Sequence, residues 1–506
     1  MRMKKRLILI LVSLLLIGSF AACDMEFGGL VGELFGEGVG DYIPSDDFVP
    51  ETAVEETWIE ETWIETDVLV GEHPAVDLPE NVFPGETITI LGSSHRDIGL
   101  IDVSTSFVHE LSYARNQAVE EAFNIRINTE YVSPTEIANM TKTAVQAGVP
   151  NYDIVMAEIA NSGAELAQNG CLVDLGTLAY VDLTGSAWDA SVNEGLAIGN
   201  YVPMATGALV PSSDLHTAMI AFHSQMADEM GVNLYDYVIC GGWTLAKMHT
   251  FVNMSYSDLN GNGIKDSDDC FGLALEGDRT YAFACGADVM LVDKDAQNLP
   301  VVNGTALDRM MMAYDEFYAM VLDRGCTYLP TYSFTDAIEQ EPQVLFESGR
   351  ALLYGTDVNY TLERYGSGMS YGILPYPKLD EEQENYQALV STAAPAVMVP
   401  KSARNYDLAG YALEALAQIS DGLYRDRISA KVCHFVQDSE MLMLIWESKT
   451  LDFGSNYLIG EFGSKVQYFG TLLDQQSGTV ATWLTQQQKA FQKSLDKLIA
   501  AYEKIN

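Results

Sequence analysis

The sequence predicts an α/β protein built as more than one lobe, and three observations predict it. From Glu86 onward, period-two apolar runs alternate with helix-period segments, the order expected of a parallel sheet covered by helices. The chain has 506 residues, 48% of them hydrophobic, enough to bury a large core and too long for a single one. The first 22 residues stand apart from both patterns, with the charge and hydropathy of a secretory leader.

In that leader Arg2, Lys4, Lys5 and Arg6 precede the apolar run Leu7–Phe20, broken only by Ser13, Gly18 and Ser19, and Phe20-Ala21-Ala22-Cys23 closes it. The run is short for a membrane span and ends in small residues, so cleavage is expected after residue 22. The pattern resembles a bacterial lipobox, with Phe20 where Leu is usual. The resemblance implies that Cys23 becomes the lipidated N-terminus of a chain lying outside the cytoplasm, anchored by several acyl chains.

From Asp24 to His95 there is no Lys or Arg, and Asp, Glu, Gly and Pro are frequent. Residues 23–85 therefore read as a self-repelling, disordered tether. Within it Glu56-Thr57-Trp58-Ile59-Glu60 is repeated at once as Glu61-Thr62-Trp63-Ile64-Glu65, either a locally duplicated linker or a short partner motif with two aromatic anchors. The whole chain carries 71 acidic and 28 basic residues, a formal charge of −43. Such a balance excludes nucleic acid as a partner class and leaves no basic patch for an anionic membrane face. Past Cys23, six cysteines are scattered without a C-x-x-C pair, which argues against zinc.

The folded part begins after Pro84-Gly85. Glu86–Leu91 alternates as a strand and is bounded by Gly92-Ser93-Ser94. Val108–Phe123 has helical period, Arg126–Val132 reads as a strand, Pro134 opens a helix, Tyr152–Met156 is a buried strand and Gly163–Asn169 a helix stopped by Gly170. Ligands of parallel sheets bind beyond the carboxyl ends of strands, which points to Ser94 and Arg96 after the first strand and to Glu158 after Tyr152–Met156. Tyr201–Val210 and Ala218–Phe222 are apolar and strand-like, Ser224–Met230 is helical, and Thr244 caps a helix over Leu245–Val252, with Trp243 as a packing anchor. Further strands are expected at Phe271–Leu275, Arg350–Gly355, Tyr371–Pro375 and Ala394–Val399. Helices are expected at Ala306–Leu322, Val344–Gly349, Tyr406–Ile419 and Thr482–Lys504, the last with Phe491, Leu495, Leu498, Ile499 and Tyr502 on one face.

Between the helix at Leu245 and the strand at Phe271 lies the most specific local motif. Asp258, Asn260, Asn262, Asp266 and Asp269 fall at positions 1, 3, 5, 9 and 12 of a loop with Gly263 at 6, and Ile264 at 7 offers its carbonyl. That is calcium-loop spacing. A polar turn rich in Asn and Gly is the other reading of the same residues. A bound Ca2+ would be structural, since every donor is local.

With these landmarks placed, the order of leader, acidic tether, α/β lobe, Ala221-Phe222-His223-Ser224, Gly242-Trp243-Thr244-Leu245, the Asp258 loop, Phe346–Leu353, Gly372–Lys378 and Asp438–Leu442 resembles the extracellular solute-binding lipoproteins of ABC importers, in the group often called family 1. The resemblance covers Glu86 to the C-terminus. It implies a two-lobed periplasmic-binding-protein-like (type II) fold with a hinge, in which residues 86–220, completed by 387–420, form one lobe, and 221–386, completed by 421–506, form the other. Crossings are implied near Met219–Phe222 and Asp380–Ala394. Where the family usually has Asn-Lys after the first crossing strand, this chain has His223-Ser224.

The resemblance further implies a monomer that binds a carbohydrate, most often an oligosaccharide, and delivers it to a permease, with no catalysis. Stacking and hydroxyl-binding residues are then implied at Trp188, Tyr354, Asp357, Asn359 and Tyr360, beside Ser94, Arg96 and Glu158. A surface lipoprotein that kept the fold as an adhesin or sensor partner is the alternative. An enzyme such as a glycosidase needs paired carboxylates, which any chain this acidic contains; no H-E-x-x-H or G-x-x-x-x-G-K pattern occurs.

Overall fold

The computed structural model describes residues 76–100, 106–303, 306–322, 326–330, 341–459 and 480–504. The leader, Cys23, the duplicated Trp58/Trp63 segment and the tether as far as residue 75 lie outside the described residues.

The chain enters the first sheet at β1 (Thr87–Gly92), where Ile88 and Ile90 alternate inward with no exposed surface. Helix α1 (Phe107–Phe123) ends at Asn124, whose left-handed φ of 51° turns the chain into β2 (Arg126–Tyr131). Helix α2 (Pro134–Ala147), started by Pro134 and stopped by Gly148 at φ 64°, leads to β3 (Ile154–Glu158). Both crossovers are right for parallel pairing, and β1 lies parallel to β2 and to β3.

The second sheet begins with β4 (Ala218–His223). Helix α3 (Leu245–Ser255) follows, capped by the Thr244 hydroxyl on the Lys247 N–H at 3.2 Å, and then β5 (Phe271–Leu275). Next come α4 (Ala306–Leu322), β6 (Thr327–Tyr328), β7 (Ala351–Asp357) and β8 (Tyr371–Leu374). The chain then passes β9 (Ala388–Leu389) and returns to the first sheet as β10 (Pro395–Met398) and α5 (Tyr406–Ser420). It crosses again to α6 (Leu423–Val432) and α7 (Val436–Glu447), and comes back through β11 (Lys449–Thr450), which pairs with β9 in parallel. The final helix α8 (Val480–Tyr502) lies against α4 and the strand Pro300–Val302 on one side and the helix Ala164–Gln168 on the other. Its Phe491, Leu495 and Leu498 are buried.

Among the described residues, beside two-stranded pairs such as β9 with β11, two larger sheets result, with strand orders β10-β3-β1-β2 and β8-β4-β7-β5-β6. In each, the parallel strands point their carboxyl ends to one edge. A core of Ile88, Ile90, Val119, Trp188 and the α5 face backs the first sheet, and a second, larger core runs from the first sheet into the other lobe.

Three expectations are corrected. The tether does not run to residue 85: Val76, Leu78, Val82 and Phe83 pack on the first core, Phe83 lies edge-on to Tyr411 at 5.4 Å, and the Tyr411 hydroxyl donates to the Pro79 carbonyl at 2.5 Å. These apolar side chains are the anchors that dock the segment. Tyr201–Val210 is not a strand; Pro203 and Gly207 interrupt it, and it makes only isolated bridges, such as Ala205 to Val397. The first crossing does not fall at Met219–Phe222, because β4 pairs with β7 and β8 over its whole length. The chain crosses before it, where Thr217 bridges Val390.

Candidate functional site: the cleft between the two sheets

The loop after β1 forms the first wall. Ser94 caps the turn His95–Ile98, Gly99 closes it at φ 70°, and a Cβ there would meet the Ser112 carbonyl at 2.7 Å, so only glycine fits. Two buried side chains of α1 brace the turn: Arg115 donates to the Asp97 carbonyl at 2.8 Å and Asn116 to the Ile98 carbonyl at 2.8 Å. The result is a fixed platform for Arg96. Glu158, at the carboxyl end of β3, accepts from Asn161 at 2.6 Å.

The second wall follows β5 and β7. Arg279 donates to Asp357 at 3.1 Å, His216 lies 3.6 Å from the same carboxylate, and the Tyr354 hydroxyl donates to Glu276 at 2.8 Å. Burial opposes ionisation of Asp357, but the His216 contact and the Arg279 charge outweigh it and hold the carboxyl below its usual range. Burial, reinforced by the Glu276 charge, raises the Tyr354 phenol far above its ordinary value, so it stays protonated and donates to Glu276.

The walls meet. Arg96 Nη1 donates to Asn359 Oδ1 at 2.9 Å, joining residues 263 positions apart that follow strands of two different sheets. At the crossings the Ser391 N–H donates to the His216 carbonyl at 2.9 Å. There a cavity of about 120 Å³ is lined by His216, Arg279, Tyr281, Ser391, Thr392 and Ser455 among others.

Of the residues chosen from sequence, Ser94, Arg96, Glu158, Asp357 and Asn359 stand at the carboxyl ends of strands, and Arg96 and Asn359 touch. The three aromatics are placed otherwise. Trp188 is 4% exposed in the core of the first lobe, with its indole N–H on Glu414 at 3.0 Å. Tyr354 and Tyr360 are each 3% exposed, their rings 5.3 Å apart and packed with Phe346. None offers a face to a ligand in this structure, because each ring is consumed by packing. Sequence reasoning missed Glu276 and Arg279, which the carboxyl-end rule would have found after Phe271–Leu275, and His216, which carries no local signal.

Beside the crossings sits a four-membered ionic cluster. Lys449, its side chain 2% exposed, donates to Asp189 and to Asp214, each at 2.6 Å. Arg425 reaches Asp214 at 2.7 Å and Asp189 at 3.3 Å. Burial disfavours the charged form of Asp214, yet Lys449 and Arg425 prevail and keep its carboxyl below the ordinary range.

In the Asp258 loop, Gly261 and Gly263 take left-handed φ of 70° and 71°. The Asp258 carboxylate accepts from the N–H groups of Gly261 at 2.7 Å and Gly263 at 2.9 Å, Asn262 accepts from Ile264 at 2.6 Å, and Asp266 from Asp268 at 2.9 Å. Buried Asp269 accepts from the Tyr256 hydroxyl at 3.3 Å. Among the described residues no three His, Cys, Asp or Glu side chains already converge as a metal site. The side-chain oxygens present are the hard ligands calcium takes, and carboxylates that accept two or three hydrogen bonds still keep a lone pair to spare.

The architecture, two α/β lobes joined by crossing segments with a cleft at the carboxyl ends of their strands, is the type II fold of ABC substrate-binding proteins. Solved structures match it over nearly their full length. A sugar transporter from Rhizobium etli in an open conformation shares 14% identity at a TM-score of 0.54, covering 82% of this chain and 99% of that one. M. tuberculosis UspC shares 14% at 0.54, covering 81% and 100%. An ABC substrate-binding protein from Listeria monocytogenes in complex with cycloalternan shares 12% at 0.51, covering 83% and 99%. No protein-family model matches the sequence, and no curated protein is significantly similar to it. Among the described residues no helix is long and apolar enough to cross a membrane.

Proposed function

We propose that the protein is an extracellular solute-binding protein, lipid-anchored through Cys23, that captures a carbohydrate of more than one unit between its lobes and delivers it to an ABC importer permease. The observation that carries this reading is the Arg96–Asn359 bond, since two walls that touch through polar side chains are walls a polyhydroxylated ligand can bridge. Two of the structural neighbours support the solute class by their own descriptions, one being a sugar transporter and one bound to cycloalternan. Ser94, Arg96, Glu158, Asp357 and Asn359 then meet hydroxyls, which both donate and accept. A ligand bonded to both walls favours the closed arrangement by its extra contacts there and needs no chemistry from the protein. The acidic tether after Cys23 gives the lobes reach from the membrane to the permease. Ca2+ held by Asp258, Asn260, Asn262, Ile264, Asp266 and Asp269 would fasten the loop between α3 and β5.

The test is thermal unfolding of the leaderless chain against mono- and oligosaccharides, amino acids, peptides and polyamines, each with calcium and with chelator. A saturable rise in Tm with one carbohydrate class is expected, by linkage of binding to folding. A rise only with amino acids, peptides or polyamines would remove the carbohydrate assignment. Calcium should raise Tm independently, and an unchanged Tm on chelation would return the loop to a polar turn.

A further inference from the structure

Tyr131 is the last residue of β2, in register with Gly92 of β1, and its neighbour Val132 donates to the Gly92 carbonyl at 3.0 Å. It therefore stands at the same carboxyl edge as Ser94 and Arg96. The residue is 45% exposed, and its ring lies flat on the His95 imidazole, with centroids 3.8 Å apart and an interplanar angle of 18°. One face is thus covered by the imidazole, which leaves the opposite face and the edge as the parts of the ring a ligand could meet. In contrast to Trp188, Tyr354 and Tyr360, this ring is held in place without being consumed by packing.

We infer that the stacked Tyr131–His95 pair is a distal subsite for one ring of a linear oligosaccharide, an assignment that rests on the carbohydrate reading above. A pyranose presents a face of C–H groups, each carrying a slight positive charge, and the negative face of an aromatic ring is complementary to it. Ser94 and Arg96, adjoining His95 on either side, bond the hydroxyls at the rim of the same sugar. Position sets which ring it takes. The crossing segment enters the first sheet at β10, and the order β10-β3-β1-β2 puts Tyr131 three strand spacings away, about 14 Å. A monosaccharide seated against the crossings does not reach it, whereas a chain of sugars along the cleft does. The pair accordingly selects for length.

The experiment is calorimetric titration of the full mature chain with malto-, cello- and xylo-oligosaccharides of one to five units. In the series that binds, Tyr131→Ala should weaken the longer members roughly tenfold and leave the shortest within about twofold, and Tyr131→Phe should restore the loss. His95→Ala should reproduce part of the effect by freeing the tyrosine ring. Wild-type affinity of Tyr131→Ala at every length, or an equal loss at every length, would overturn the subsite while leaving the carbohydrate reading in place. If the unaltered chain binds no member of the three series, the linear-oligosaccharide ligand and this subsite fall together. Because Tyr131 is exposed, its truncation leaves the core intact, and an unchanged Tm is the control.

Discussion

At the crossing segments the buried Asp214 and Lys449 join the partly buried Asp189 and Arg425 through four ion-pair contacts, while in the cleft Arg96 holds Asn359 by a single bond and both are partly exposed. Both sites join distant parts of the chain through charged or amide groups, yet they differ in what water can do when a contact breaks. A buried charge that loses its partner has no solvent to turn to, so the cluster holds one arrangement. A half-exposed guanidinium exchanges protein for water at little cost, so the cleft is free to open. The contrast suits a hinge whose pivot is fixed and whose jaws are weakly latched.

The hardest test of that contrast is Lys449→Met. It keeps the length and apolar stem but leaves Asp189 and Asp214 facing each other with only Arg425 between them. Removing one partner of a buried ionic group costs about 3–5 kcal/mol, and urea unfolding should show a loss of that size. A loss below about 1 kcal/mol would mean that water reaches the cluster and that pivot and jaws are not different in kind.

Nearly as large an effect is expected at Trp188, where sequence and structure part. A ligand platform tolerates truncation, but a buried Trp→Ala costs about 3–5 kcal/mol through lost transfer and the cavity left behind. Trp188→Ala should therefore destabilise the first lobe by that amount. Full stability with lost ligand binding would restore it to the cleft.

The reason Trp188 was misplaced marks how far the sequence is legible. The alternation of strands and helices is local, so β1, α1, β2 and β3 are legible to within two residues at each end and α2 at its start, and so is the edge on which Ser94, Arg96 and Glu158 stand. An aromatic ring looks the same in sequence whether it packs or waits for a ligand. What decides is the group that covers it: for Trp188 this includes Glu414, 226 residues away, and for Tyr354 it is Phe346 and Tyr360. Likewise the apolar run at Ala218 says strand but not which sheet, and only the pairing with β7 and β8 settles that the crossing precedes it. Tyr131 was passed over because it closes an edge strand with the burial pattern of a surface one, and its stacking partner belongs to another strand's loop.

The smallest effect on stability and the most informative on motion belongs to Arg96. Arg96→Ala removes one hydrogen bond from the charged side chain in a partly solvated cleft, worth about 1 kcal/mol after competition with water. The melting temperature should scarcely move, because that energy separates two folded arrangements and not the folded from the unfolded chain. The open and closed populations without ligand should shift by about fivefold towards open, visible as a larger radius of gyration in solution scattering. A saturating ligand should still close the variant, since the contacts proposed to Ser94, Glu158 and Asp357 would remain, but at higher concentration. An unchanged radius together with unchanged affinity would show that the bond between the walls bears no load, and the weak latch would have to be sought elsewhere along the cleft, first at Lys431, whose ammonium lies between the rings of Phe107 and Tyr365.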